Sequence, residues 1–356
     1  MPPIEKLAEE LLQKAVLLDA SDVHFLPRKT DYIIQLRKQG TIAPHTIIPD
    51  QEGERIISHF KFMASMDIGE KRKPQSGSFS IPINDQPVSL RISTLPSTHS
   101  KESLVIRILP QNFSLPIQKM SLYPSSANKL LALLMHSHGL MIFTGPTGSG
   151  KTTTLYTLVQ HCSAQLNRNV ITLEDPVEKE NEEFLQVQVN EKAGITYSTG
   201  LKAILRHDPD IIMVGEIRDR ETAEIAIRAS LTGHLVLTTM HTRDAKGAIY
   251  RLLEFGIQFQ EIEQTLIAVS AQRLVKVKCP ICKDTDVKQC HAKHYPKRTS
   301  VYEILSGKAL TQVLREVKGE KSISQYAKLK DLLNKGVALG YLTHSEYERW
   351  AFEEET

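Results

Sequence analysis

One short stretch constrains this chain more than any other: Gly145-Pro146-Thr147-Gly148-Ser149-Gly150-Lys151-Thr152, followed by Thr153. It fits the pattern of a glycine, four residues, then Gly-Lys-Ser/Thr. An apolar run, Leu140–Phe143, leads in, and Thr152–Gln160 can form the helix that follows. The residue types explain the chemistry. Glycines let consecutive backbone N–H groups curl around phosphate oxygens, and the helix N-terminus adds a positive dipole end. Lys151 can reach the β- and γ-phosphates, and the Thr152 hydroxyl can ligate Mg²⁺. The competing reading is a chance glycine-rich turn, which the preceding strand and following helix disfavour.

Such a loop needs an open sheet around it, and the chain supplies one. Short apolar runs at Leu140–Phe143, Val170–Leu173, Ile211–Val214 and Leu235–Thr239 alternate with helical segments. That pattern is an α/β core with a parallel sheet covered on both faces. The expected organisation is a small α+β domain of PAS-like kind at 1–109, a linker at 110–121 and a P-loop core at 122–278. A cysteine-bearing loop at 279–296 and a helical region at 297–356 would follow. In the first domain, Ile4, Leu7, Ala8, Leu11, Leu12, Ala15 and Val16 have helical spacing, as do Ile56, Ile57, Phe60 and Met63. Strand-like runs are Asp22–Leu26, Tyr32–Leu36, Val88–Ser93 and Ser103–Leu109. From about residue 258 the chain reads as mostly helical.

Composition narrows the setting. The chain has 356 residues, 41% hydrophobic and 24% charged, with a formal net charge of +3. That balance is too mild to point to nucleic acid. No apolar run approaches the roughly 18 residues of a membrane span, and the N-terminus lacks the layout of a secretory signal. Four unevenly spread cysteines argue for a reducing compartment. A cytoplasmic location is expected.

Hydrolysis also needs carboxylates to hold Mg²⁺ through water and to orient the attacking water. The sequence offers two sets at strand ends, where ligands gather in such sheets. Ile211-Ile-Met-Val-Gly215-Glu216 is a buried strand ending in an acid, with Gly215 where many P-loop proteins have Asp. The second set is Glu174, Asp175 and Glu178, after the strand Val170–Leu173; a solvated loop is the alternative for these three. Glu216, Glu174 and Glu178 are the candidate catalytic acids, and Glu216 and Asp175 join Thr152 around Mg²⁺. His234 and His241 bracket the strand Leu235–Thr239, too far apart to share a ligand. His241, at the carboxyl end, can face the γ-phosphate, and His234 is read as structural.

These stretches occur in an order that resembles the secretion ATPase family. Gly-Pro-Thr-Gly-Ser-Gly-Lys-Thr-Thr-Thr matches its Walker A, and Leu173-Glu-Asp-Pro-Val-Glu178 its aspartate box. Arg206-His-Asp-Pro-Asp-Ile-Ile-Met-Val-Gly-Glu-Ile-Arg-Asp219 matches the Walker B, and Gly233-His-Leu-Val-Leu-Thr-Thr-Met-His-Thr242 the histidine box. Ala20-Ser-Asp-Val-His24, Met66-Asp-Ile-Gly-Glu70 and Leu90-Arg-Ile-Ser-Thr-Leu-Pro96 resemble its N-terminal domain. The resemblance covers roughly residues 15–275 and is strongest toward the competence-pilus ATPases of Gram-positive bacteria.

The resemblance implies an ATP-hydrolysing, RecA-like motor with ATP and Mg²⁺ as cofactors. It also implies a homo-hexameric ring, an inner-membrane platform protein as partner, and peripheral association with the membrane through it. The family powers type II secretion, type IV pili and DNA-uptake pseudopili. The alternatives are therefore a type IV pilus extension or retraction motor, a type II secretion motor, or a nucleotide-gated scaffold without turnover. No direct sequence-specific nucleic-acid binding is expected. By the same resemblance, Arg91 and Arg107 match two arginines that reach the phosphates; ordinary exposed strand arginines are the competing reading. Arg228 suits the end of a helix whose first turn is acidic. Cys279-Pro-Ile-Cys282, with Cys290 and His294 or His291, has the spacing of a closed zinc site. A loop that has lost its metal is the alternative.

Overall fold

The computed structural model describes residues 3–355 apart from 39–40, 84–85, 99–100, 110–115, 179 and 280–297. The chain divides into two compact units, Met1–Asn112 and Phe113–Thr356.

The first unit contains α1 (Ile4–Leu17), β1 (Asp22–Pro27), β2 (Asp31–Lys38), β3 (Thr41–Pro49), α2 (Asp50–Met63), β4 (Gln75–Ile83), β5 (Gln86–Pro96) and β6 (Glu102–Ile108). Its strands form one antiparallel sheet in the order β3-β2-β1-β6-β5-β4. Alternation along β2 puts Tyr32, Ile34 and Leu36 on the inner face. There they join Val23, Phe25, Leu90, Ile92, Leu104 and Ile106 in a core closed by Leu11, Leu12, Ile56 and Phe60 of the two helices. The two strands that apolar patterning does not reveal, β3 and β4, are the edges of this sheet. β3 carries Pro44 and is almost wholly exposed, while β4 carries Gly77 and Pro82. Proline and glycine read as breakers are tolerated on edges, where one side of the strand donates to nothing.

The second unit begins with α3 (Ile117–Met120), α4 (Pro124–Leu133), β7 (Gly139–Thr144), α5 (Lys151–Leu166), β8 (Val170–Glu174), β9 (Leu185–Gln188) and α6 (Tyr197–Ile204). Next come β10 (Ile211–Val214), α7 (Arg220–Leu231), β11 (Leu235–Met240), α8 (Ala245–Glu254) and α9 (Phe259–Thr265). The unit ends with β12 (Leu266–Lys276), β13 (Arg298–Ser306), α10 (Gly307–Val317), α11 (Leu329–Ala338) and α12 (His344–Glu355). The sheet order is β13-β12-β7-β11-β10-β8-β9, parallel except for the β12–β13 pair. Strands β7, β8, β10 and β11 are buried along their whole length. Two apolar clusters pack on the sheet's two faces.

The expectation of a mostly helical chain beyond residue 258 is corrected here. After α9, β12 and β13 extend the central sheet, and α10, α11 and α12 follow them. β12 reads Leu-Ile-Ala-Val-Ser-Ala-Gln-Arg-Leu-Val-Lys, a composition rich in helix formers. It is held as a strand because it hydrogen-bonds to β7 on one side and β13 on the other. Tertiary pairing overrides local propensity.

Candidate functional site

The loop between β7 and α5 bends through three positive-φ glycines: Gly145 at 140°, Gly148 at 79° and Gly150 at 87°. At Gly145 a side chain is excluded twice over. Its backbone lies in the left-handed region, and a Cβ would stand 2.5 Å from the Gln272 carbonyl oxygen of β12. The loop is thus seated directly on β12. Lys151, the first residue of α5, is 7% exposed and donates from Nζ to the carbonyls of Gly145 (2.7 Å) and Pro146 (3.1 Å). Burial lowers its pKa to about 8, and the nearby Glu216 carboxylate pulls the other way. Ser149 Oγ is buried with no hydrogen-bond partner among the described residues. A buried lysine satisfied only by loop carbonyls and an orphaned hydroxyl in a glycine-lined turn are what a phosphate-binding cradle requires. Thr152 and Thr153 follow in the first turn of α5, both half-buried.

Glu216 lies two residues beyond the end of β10. Its Oε2 accepts from Arg218 Nε at 2.7 Å, and its Oε1 is 3.3 Å from His241 Nε2. His241 follows β11, the neighbouring strand, so adjacent strand ends bring acid and imidazole together. Burial, then the Lys151 charge, lower the His241 pKa. Lys151, Glu216 and His241 therefore converge at the carboxyl ends of β7, β10 and β11. The loop beyond β11 is fixed to the β7 end by Thr144 Oγ1, which lies 2.7 Å from Thr242 Oγ1 and accepts from Thr242 N–H at 2.8 Å.

Glu174, the last residue of β8, is placed differently. It is 3% exposed, and its carboxylate accepts from Thr172 Oγ1 (2.6 Å), Gln186 Nε2 (3.2 Å) and the Tyr156 hydroxyl. Burial raises its pKa, and these donors offset part of the rise. Tyr156 is on α5, so Glu174 anchors the helix that carries Lys151. Asp175 is exposed, and Glu178 is half-buried. Asp175 adds to the negative field on Arg218, whose pKa is raised first by its hydrogen bond to Glu216. The oxygen donors Thr152, Glu216 and Asp175 suit a hard cation such as Mg²⁺ in their chemistry.

Gly215 has a packing reason to lack a side chain. A Cβ there would lie 3.1 Å from the Tyr197 hydroxyl and 3.4 Å from the Leu173 carbonyl oxygen. Gly215→Asp, which restores the commoner acidic pair, is therefore expected to destabilise the second unit by about 1–3 kcal/mol. A thermal melt unchanged by the substitution would contradict this packing account.

In the first unit, Arg91 and Arg107 stand directly opposite each other on β5 and β6. They project from the face away from the helices, as the fully buried Leu90, Ile92 and Ile106 beside them require. The row continues to Asp22 and Arg37 on β1 and β2. Asp22 is 5% exposed and accepts from Arg107 Nε at 3.0 Å, with Arg37 Nε at 3.5 Å. A shared aspartate thus orders part of a cationic row. His234 bonds to the Ala229 carbonyl at the end of α7, and Arg228 lies in the last turn of that helix. Cys279 is buried, but Cys282, Cys290, His291 and His294 lie outside the described residues. Among the described residues no group of three or more histidine, cysteine, aspartate or glutamate side chains is placed to hold a metal ion.

Several supporting residues carry no motif signal. Tyr156 and Gln186 hold Glu174, Tyr197 packs on Gly215, and Gln272 and Arg273 underlie the P-loop. Each comes from a different element from the group it supports.

The fold and the loop define a P-loop protein with a RecA-like core and a separate α+β unit. The model of the family described as "Type II/IV secretion system protein" matches residues 1–349, and the chain belongs to that family. It is 56% identical to the competence protein ComGA of Bacillus subtilis (strain 168), over 99% of each chain. It is 38% identical to the type II secretion system ATPase E of Vibrio cholerae serotype O1, over 91% of this chain and 69% of that one. The crystal structure of the pilus retraction motor PilT with bound ADP matches with a TM-score of 0.73 at 25% identity, over 96% of each chain.

Proposed function

We propose that this chain is an ATP-hydrolysing motor that drives assembly of a competence-type pseudopilus for DNA uptake. The observation that carries the reading is the convergence of Lys151, Glu216 and His241 at the P-loop, in a chain so close to a competence protein. Lys151 exchanges the carbonyls of Gly145 and Pro146 for the β- and γ-phosphates of ATP. Ser149 and the loop N–H groups complete the cradle. Glu216, oriented by Arg218 and His241, aligns a water and takes its proton as the water attacks the γ-phosphorus and the bond to the β-phosphate oxygen breaks. Mg²⁺, held by Thr152 and through water by Glu216 and Asp175, would neutralise charge on the phosphates. Glu174 serves here by fixing α5.

In this reading six copies form a ring at the cytoplasmic face of the membrane and act on an inner-membrane platform protein. None of the described helices is long and apolar enough to cross a membrane, which suits attachment through a partner. Lys151→Ala tests the core of the proposal. Loss of its charge-assisted contacts to the phosphates is expected to weaken ATP affinity by at least about tenfold and to abolish turnover. ATP affinity and turnover equal to the wild type would overturn the assignment. Tight ATP binding by the wild type without turnover would favour a nucleotide-gated scaffold.

A further inference from the structure

Arg273 is a feature that none of the motifs accounts for. Among the described residues it is the largest fully buried side chain, 2% exposed, on β12 directly beneath the P-loop. Nη1 donates to its neighbour's carbonyl, Gln272 O, at 3.1 Å, and Nη2 donates to Arg243 O at 2.8 Å. Both acceptors are informative. Gln272 O is the atom on which Gly145 is seated, and Arg273 Nη1 itself would be 3.3 Å from a Cβ at Gly145. Arg243 belongs to the loop that carries His241 and is tied to β7 through Thr242. One planar guanidinium therefore braces both loops that meet at the site.

The guanidinium also lies over the ring of Trp350, 5.6 Å from its centroid. Trp350 is the sole tryptophan of the chain and is itself buried, in α12. Its indole N–H donates to Glu346 Oε1 at 3.4 Å, and the same oxygen accepts the Lys276 N–H at the end of β12. The C-terminal helix is thus docked on β12 at two points, one of them through Arg273.

We infer that Arg273 is a positioning residue that couples occupancy of the P-loop to the C-terminal helix through its cation–π contact with Trp350. The inference rests on the nucleotide site proposed above. When Lys151 leaves the Gly145 and Pro146 carbonyls for phosphate, the loop seated on Gln272 O must readjust. A polyanion arriving beside a buried cation also acts in a medium of low dielectric, where charge interactions are strong. Both effects draw on the guanidinium that faces the indole, so that contact differs between the two states. A device of this kind needs such a differential interaction, and the coupling is reciprocal.

The test follows Trp350 emission while Mg·ATP is titrated into the full chain, with binding measured in parallel by calorimetry. Wild-type emission is expected to change and to saturate with the calorimetric Kd. Arg273→Lys keeps the charge but loses the planar fork. It is expected to bind ATP while losing most of the emission change. By reciprocity, Trp350→Leu should shift ATP affinity about fivefold or more, whereas Trp350→Phe, which keeps a ring under the guanidinium, stays within about twofold. Calorimetric binding by the wild type without an emission change would overturn the coupling and leave the nucleotide site standing. A Trp350→Leu protein with a lowered Tm but unchanged ATP affinity would reduce Trp350 to packing and also overturn it. Absence of ATP binding by the wild type would overturn the site and the coupling together.

Discussion

Glu216→Gln is expected to lower ATP turnover by about a hundredfold to ten-thousandfold while leaving ATP affinity within a few-fold of the wild type. The substitution keeps the side chain's shape and one acceptor oxygen but removes the group that takes the proton. Glu216 does not touch the P-loop lysine in the structure; its contacts are Arg218 and His241. Binding through Lys151 and the loop amides therefore survives. A second consequence separates this account from a mere loss of charge. Arg218 loses only its ionic partner in the variant, and Arg218→Ala in the wild-type background should lower turnover less than Glu216→Gln does. Turnover retained by Glu216→Gln would mean that another group activates the water.

The second large effect concerns stability of the first unit. Lys61 is 1% exposed, and its Nζ lies 3.0 Å from both oxygens of Glu102, itself 4% exposed; it also donates to the Glu70 carbonyl at 2.8 Å. Lys61→Met leaves a buried carboxylate without its cation and is expected to cost about 3–5 kcal/mol. In a unit of this size that lowers Tm by roughly 12 °C or more. Calorimetry is the appropriate readout, because two units can melt separately. Adding Glu102→Leu should restore much of the loss, since removing both charges leaves no uncompensated ion. A Lys61→Met protein that melts with the wild type would show that the pair is not the buried anchor its burial implies.

Neither Lys61 nor Glu102 draws notice in the sequence, where each is an ordinary polar residue of a helix and a strand. The contrast with the P-loop is instructive. Gly145 to Thr152 is legible because backbone, helix and ligand geometry are encoded in contiguous residues. Glu216 and His241 are legible because each ends an apolar strand, and strand ends converge at one edge of a parallel sheet. What escapes is information held between elements. β12 is a strand only because β7 and β13 flank it. The edge strands β3 and β4 carry the proline and glycine that mark loops elsewhere. Glu174 belongs to a motif, but its partners Tyr156 and Gln186 come from α5 and β9, and no spacing announces them. The tight packing against Gly215 likewise depends on Tyr197, brought over by α6.

The arginine row of the first unit falls between these cases. Alternation with Leu90 and Ile92 places Arg91 on the outer face of its strand. The pairing of Arg91 with Arg107, and the sharing of Asp22 with Arg37, depend on register across four strands. Register is set by the whole sheet rather than by any local stretch.

Phosphate release reads both the proposed ATPase activity and its dependence on an assembled ring. Release is measured across protein concentration, with oligomeric mass determined in the same samples with and without ATP. The account predicts hydrolysis whose rate per chain rises as a six-copy assembly forms, with ATP favouring that assembly. A rate per chain that is independent of concentration in a monomer, or no phosphate release from a fully assembled ring, would contradict it.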